Sequence, residues 1–141
     1  MIIVTSLALG RALSGTGAAA FLAQHVVALA GVLPDAALLS GVILIVAVLS
    51  NWVSSSAVGV IAAPIAIEVA YALGAPPEPF VLAVIFGANM SYATPFGYHT
   101  NLLLLSSGGY RYGDFLRIGV PLAVLMWLGF SIVLPILYPL A

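Results

Sequence analysis

The stretch from Ala36 to Leu73 contains one charged residue, Glu68, and is interrupted by a serine-rich cluster at 50–56. Across the 141 residues of the chain, 64% are hydrophobic and 5% are charged. A water-soluble domain carries about 25% Asp, Glu, Lys and Arg, because these side chains cover its surface. Three basic and four acidic residues are too few to do so here. The sequence therefore predicts an all-α integral membrane protein, embedded in the lipid bilayer.

Charge and motif content exclude several functions. A net charge of −1 offers no basic stripe for nucleic acid. The chain has two isolated histidines and lacks both a His-Glu-x-x-His and a Gly-x-Ser-x-Gly motif, which argues against an intramembrane enzyme. Without cysteine there is neither a disulfide nor a thiolate metal site. We expect no catalytic residue, no cofactor and no resident metal.

Two apolar runs, 36–49 and 57–73, flank the serine-rich cluster. A helix over the first run would be ~21 Å long, less than the ~30 Å of the hydrocarbon core. Residues 36–74 are therefore predicted to form a re-entrant helical hairpin with a serine-rich tip. Two full spans remain the alternative, since length alone does not exclude them.

A second break divides the stretch 80–105. Pro95 lacks an N–H and obstructs the preceding helical turn, while Gly97 permits unusual backbone angles. Neither half is long enough to span alone, so we predict one helix broken at 93–97 in mid-membrane.

The remaining segments complete a single transmembrane domain over residues 1–141. The run 115–138 is long enough to span, with Asp114 as its predicted N-cap. Residues 1–13 and 18–30 are too short to span. We expect a multi-pass protein of the inner or plasma membrane.

The two polar breaks predict a transport site. Each break exposes a helix N-terminus whose unpaired N–H groups attract anions. Each also frees carbonyl groups that can ligate a cation. Discontinuous helices with binding groups at the midplane are typical of secondary transporters. Serine and threonine hydroxyls suit such a site, because they bind either ion without placing a standing charge in lipid.

Four stretches carry a family resemblance, and they cover nearly the whole chain: Ser50-Asn51-Trp52-Val53-Ser54-Ser55-Ser56-Ala57, Ala63-Pro64-Ile65-Ala66, Ala93-Thr94-Pro95-Phe96-Gly97-Tyr98-His99-Thr100-Asn101, and residues 108–119. They resemble the second repeat of the divalent-anion:sodium symporter family, in its sulfate-permease-like branch. The resemblance implies an inverted-repeat transporter of which this chain is the C-terminal repeat. It also implies a missing N-terminal repeat as partner and a homodimer when the protein is complete.

The family motif also implies which residues bind ions. The hairpin-tip motif falls on 54–56, counted back from Pro64, with Ser55 where the family has Asn. His99 stands where Gln is expected. The resemblance places a coupling Na⁺ at Ser50, Ser55 and Ala93, with a proton as the alternative coupling ion. The candidate substrate- and ion-binding residues are Ser50, Asn51, Ser54, Ser55, Ser56, Ala93, Thr94, Pro95 and Gly97.

Together these features predict secondary active transport of a small divalent anion, sulfate or dicarboxylate, coupled to sodium. The mechanism expected is alternating access. A membrane channel and a non-transporting structural subunit are the alternative functions. Saturable, ion-driven uptake would separate a carrier from a channel.

Overall fold

The computed structural model describes residues 15–30 and 33–138, together with Val4, Ala8, Arg11 and Ala12. Most of the predicted short segment 1–13 lies outside these residues. Within the described ranges the chain is helical and contains no strand, which confirms the all-α prediction. The helices are α1 Ala18–Ala30, α2 Asp35–Ser50, α3 Ser55–Leu73, α4 Pro77–Ala88, α5 His99–Ser107 and α6 Tyr112–Leu137.

The core lies where α4 packs against both α2 and α3. Phe80 of α4, Ile43 of α2 and Val69 of α3 are buried in one apolar cluster. Helix α1 packs on α3, and α6 packs on α2 and α4. Pro77 occupies the first turn of α4, where its fixed φ suits a helix and its missing N–H costs nothing. This packing holds the ends of α2, α3 and α4 in place, and polar residues lie at these ends.

Helix α6 is largely exposed, with Gly119 and Leu134 as its buried residues. Apart from Asp114 and Arg117 near its start, its exposed side chains are nevertheless mostly apolar, as at Ile118, Ile132 and Ile136. At 26 residues it is about 39 Å long. Helices α3 and α6 are both long and apolar enough to cross a membrane. A long helix with an apolar exposed surface is suited to lipid contact.

The start of α6 differs from the prediction. The helix begins at Tyr112, and Arg111 rather than Asp114 precedes it. The Asp114 carboxylate accepts the backbone N–H of Arg111 at 2.8 Å. Asp114 therefore lies in the first turn and reaches back to the residue before the helix, as an acidic residue does in a capping box. The N-cap prediction for Asp114 is wrong because the carboxylate works from inside the helix.

Polar and aromatic contacts attach α6 to α2 and α4. The Ser131 and Ser40 hydroxyls are hydrogen-bonded at 2.8 Å. The Trp127 indole N–H donates to the Ser40 carbonyl at 3.0 Å. Phe130 stacks on Phe86 of α4, with ring centroids 4.2 Å apart. These side chains fix the rotation of an otherwise exposed helix.

Replacing Ser131 by alanine is expected to lower the free energy of unfolding by about 0.6–1.5 kcal/mol, since it removes an interhelical hydrogen bond. Reversible unfolding in mixed micelles measures this change. Ser106→Ala is the control, because the exposed Ser106 hydroxyl bonds only to the Leu103 carbonyl of its own helix. Equal free energies for wild type and Ser131→Ala would show that the Ser40–Ser131 contact contributes nothing.

Candidate functional site

The tip of the α2–α3 pair is a four-residue turn, 51–54, that begins directly after the buried Ser50. The Ser50 hydroxyl lies 2.9 Å from the Ala47 carbonyl of its own helix and 3.3 Å from the Gly87 carbonyl of α4. Trp52 is 69% exposed at this tip. The end of α2 is therefore bonded to the end of α4, although 37 residues separate Ser50 from Gly87 in sequence.

The non-helical break between α4 and α5 covers residues 89–98. The break includes the predicted 93–97, but α4 ends at Ala88, four residues before Tyr92, the last residue ahead of the predicted break. Proline disfavours helical backbone in the residue before it, which accounts for the interruption near Pro95. Helix α4 ends before this position, and the N–H groups of Ala93 and Thr94 bond to the hairpin tip instead of to their own segment.

Asn51 makes that connection. Its side-chain oxygen accepts the backbone N–H of Ala93 at 2.9 Å and of Thr94 at 3.2 Å. Its side-chain nitrogen donates to the Ala47 carbonyl at 2.7 Å and to the Met90 carbonyl at 3.2 Å. The Thr94 hydroxyl in turn donates to the Asn51 backbone carbonyl. The hairpin tip and the break thus form one polar cluster.

Ser91 is a central member of this cluster that the sequence reasoning missed. Its buried hydroxyl donates to the Ser50 carbonyl at 2.6 Å. The Ser55 hydroxyl lies 3.4 Å from the Ser91 hydroxyl and 3.3 Å from the Gly97 carbonyl. Asn101 was also missed, and its amide donates to the Ser91 and Thr94 carbonyls at 3.0 and 3.4 Å. The sequence offered one signal for Ser91, because it is a polar residue two positions before the predicted ion-binding Ala93.

Two glycines allow the elements around the cluster to approach closely. A Cβ at Gly97 would overlap the Ser91 hydroxyl and the Ser50 carbonyl oxygen. A Cβ at Gly119 would overlap the backbone of Tyr92 and Ala93. Gly97 therefore lets the break close onto the hairpin tip, and Gly119 lets α6 lie against the outside of the break.

The N-termini of α3 and α5 lie at this cluster without side-chain caps. Neither Ser54, before α3, nor Tyr98, before α5, makes a capping hydrogen bond. The first N–H groups of a helix have no partner within it, so both ends carry free donors. Because the Ser55 hydroxyl reaches the Gly97 carbonyl, the start of α3 lies close to the residues that lead into α5.

The structure thus brings together most of the predicted site residues. Ser50, Asn51, Ser55, Ala93, Thr94 and Gly97 belong to the hydrogen-bonded or close-packed cluster, and Pro95 is buried within the break. Ser54 and Ser56 stand outside the hydrogen-bond network, exposed at the first turn of α3. Ser55 and Ser56 also line a cleft of about 350 Å³ whose opposite side includes Ala88 and Asn89.

Comparison with known proteins assigns the chain to a family. The family model described as citrate transporter matches residues 1–141. The chain belongs to this family. Its members are transporters and not enzymes, and the assignment confirms the family resemblance drawn from the sequence motifs.

Individual relatives give the same result. The chain is 38% identical over 130 residues to an uncharacterized transporter of Synechocystis and 29% identical over 139 residues to the uncharacterized transporter YfbS of Escherichia coli. It is 32% identical over 127 residues to sodium/sulfate cotransporter 1 of Chlamydomonas reinhardtii. These matches cover 92%, 99% and 89% of the chain, but 21%, 23% and 14% of the respective relatives. No solved structure matches significantly.

Proposed function

We propose that the chain is the C-terminal repeat of a secondary active transporter that carries a small divalent anion, sulfate or a dicarboxylate, together with sodium. The observation that carries this proposal is the cluster in which the hairpin tip meets the helix break. It joins hydroxyls, freed backbone groups and two uncapped helix N-termini in one place.

An anion is expected to bind between the starts of α3 and α5. Each helix N-terminus is equivalent to roughly half a positive charge, and its free N–H groups point at the ligand. The exposed Ser54 and Ser56 add hydroxyl donors at the first turn of α3. Such a site holds a doubly charged anion with neutral groups, so it presents no standing charge to lipid when empty.

The coupling sodium is proposed to bind on the other side of the same cluster, at Ser50, Ser55 and Ala93. Ser91 connects two of these positions, since its hydroxyl contacts the Ser50 carbonyl and the Ser55 hydroxyl. Hydroxyl and carbonyl oxygens are the neutral ligands that a hard cation accepts. A proton remains the alternative coupling ion, and the ion gradient that drives uptake decides between them.

The proposed membrane arrangement is supported by the length of α2. Helix α2 has 16 residues and is about 24 Å long, shorter than the ~30 Å hydrocarbon core. We therefore propose that α2 and α3 form a re-entrant hairpin and that the break lies at mid-membrane depth. An inverted N-terminal repeat would supply the second hairpin and the second broken helix. The complete protein is proposed to be a homodimer in the inner or plasma membrane that works by alternating access.

The proposal predicts that the 141-residue chain alone, reconstituted in liposomes, does not take up anions, whereas a full-length transporter containing it does. Uptake of labelled sulfate, succinate and citrate is measured with an inward sodium gradient, with a proton gradient and with neither. Saturable, sodium-driven uptake by the full-length protein is the expected result. Uptake that rises linearly with concentration and ignores both gradients would indicate a channel and overturn the proposal, as would uptake by the chain alone.

A further inference from the structure

The Asn51 side chain occupies the place of a helical hydrogen bond in the break. In an unbroken helix the N–H of Thr94 would donate to the carbonyl of Met90, four residues earlier. Here the Asn51 oxygen accepts the Thr94 N–H, and the Asn51 nitrogen donates to the Met90 carbonyl. One side chain of the hairpin tip is thus inserted into the hydrogen-bond ladder of another segment, an established cause of helix interruption.

The hydrogen-bonding capacity of this carboxamide is fully used. An amide oxygen has two acceptor lone pairs, and an amide nitrogen has two N–H donors. The oxygen accepts from Ala93 and Thr94, and the nitrogen donates to Ala47 and Met90. Asn51 is also only 8% exposed. The side chain therefore has neither a lone pair left for a cation nor a donor left for an anion.

We infer that Asn51 is a positioning residue that holds the 93–94 peptide in place, rather than a ligand of a transported ion. This inference rests on the proposed function, since the ion concerned is the coupling sodium proposed at Ala93. Without Asn51 the buried N–H of Thr94 and the part-buried N–H of Ala93 lose their acceptor, and the adjacent Pro95 cannot take part in re-forming the helix. The backbone groups of the break would then no longer be held ready for an ion.

Amide hydrogen exchange of the 141-residue chain in nanodiscs, without sodium or a divalent anion, tests the positioning directly. In Asn51→Ala the amides of Ala93 and Thr94 should exchange about tenfold faster or more, because their acceptor is gone. Asn51→Asp keeps an acceptor oxygen for these N–H groups but loses the donor to the Ala47 and Met90 carbonyls, so it should restore only part of the protection. Gln24→Ala is the control, because it removes an exposed carboxamide from α1, which contributes no residue to the cluster.

Uptake by the full-length transporter separates positioning from a purely structural role. Asn51→Ala should raise the half-saturation concentration for the anion about tenfold, with the maximal rate per folded transporter changed less than about threefold. A purely structural residue would reduce the amount of folded protein and leave the half-saturation concentration unchanged. Gln24→Ala should match the wild type in both quantities.

Two results would overturn the inference. One is wild-type exchange at Ala93 and Thr94 in ion-free Asn51→Ala, with a difference emerging only when sodium is added, as an ion ligand would give. The other is faster exchange with an unchanged half-saturation concentration. Absence of ion-driven uptake by the wild type would instead refute the proposed function, and the exchange data would still support or overturn the positioning of the break.

Discussion

Replacement of Gly97 by alanine is expected to reduce anion uptake by the full-length transporter by up to about 100-fold. The added Cβ would overlap the Ser91 hydroxyl and the Ser50 carbonyl oxygen. The Ser50 oxygen belongs to the backbone, and the buried Ser91 hydroxyl is hydrogen-bonded to it. Neither atom can therefore move without separating the tip from the break. Overpacking of this kind costs up to about 3 kcal/mol, equivalent to about two powers of ten.

Initial rates of sulfate and citrate uptake at matched membrane expression measure the loss. Gly41→Ala in α2 is the control, since a Cβ at Gly41 has no heavy atom within 4 Å and a helical alanine is more stable than glycine. Gly41→Ala should transport at the wild-type rate. Wild-type kinetics in Gly97→Ala would mean that the tip and the break are not in contact in the working protein.

Local chemistry made the two interruptions predictable. A cluster of serines between apolar runs and a Thr94-Pro95 step followed by Gly97 each conflict with a continuous helix, whatever surrounds them. The structure interrupts the chain at both places, with a turn at 51–54 and a break at 89–98. The contact between the turn and the break could be predicted only in so far as both were expected at the same depth in the membrane.

The extent of the break was not predictable from local chemistry. Residues 89–92 are compatible with helix by composition, and α4 nevertheless ends before them. About 40 residues earlier in the sequence, Asn51 bonds to the Thr94 N–H and the Met90 carbonyl, which would be paired with each other in a continuing helix. Hydrogen bonds between distant segments leave no periodicity in the sequence, which is also why Ser91 was missed.

Ser131 of α6 also makes a hydrogen bond to a distant segment that the sequence does not reveal. As a lone serine in an apolar helix it would serve as a neutral control for site mutations. Its hydroxyl instead bonds to Ser40 of α2 and helps to orient the helix. Ser106, which bonds only within α5, is the better control for loss of a hydroxyl.

Thr94→Val and Ser54→Ala are both expected to raise the half-saturation concentration for the anion or its coupled cation about tenfold to 100-fold. A hydrogen bond to a charged group contributes about 1.5–3 kcal/mol, and about 1.4 kcal/mol corresponds to a factor of ten in affinity. The structure further predicts that the two variants differ in thermal stability. The buried Thr94 hydroxyl donates to the Asn51 carbonyl, so valine also leaves a buried acceptor unpaired and should lower thermal stability.

Ser54 is exposed and its side chain makes no capping bond, so Ser54→Ala should leave thermal stability unchanged and act through the bound ion alone. Concentration series for sulfate, citrate and sodium in proteoliposomes give three half-saturation concentrations, and melting curves give the thermal stability. Ser106→Ala should match the wild type in all of them. If Ser54→Ala and Thr94→Val keep the wild-type half-saturation concentration for every ion, then the uncapped start of α3 and the break do not form the binding site. The hydroxyl at Ser54 would then be an ordinary turn residue, and the anion would have to bind to another part of the transporter.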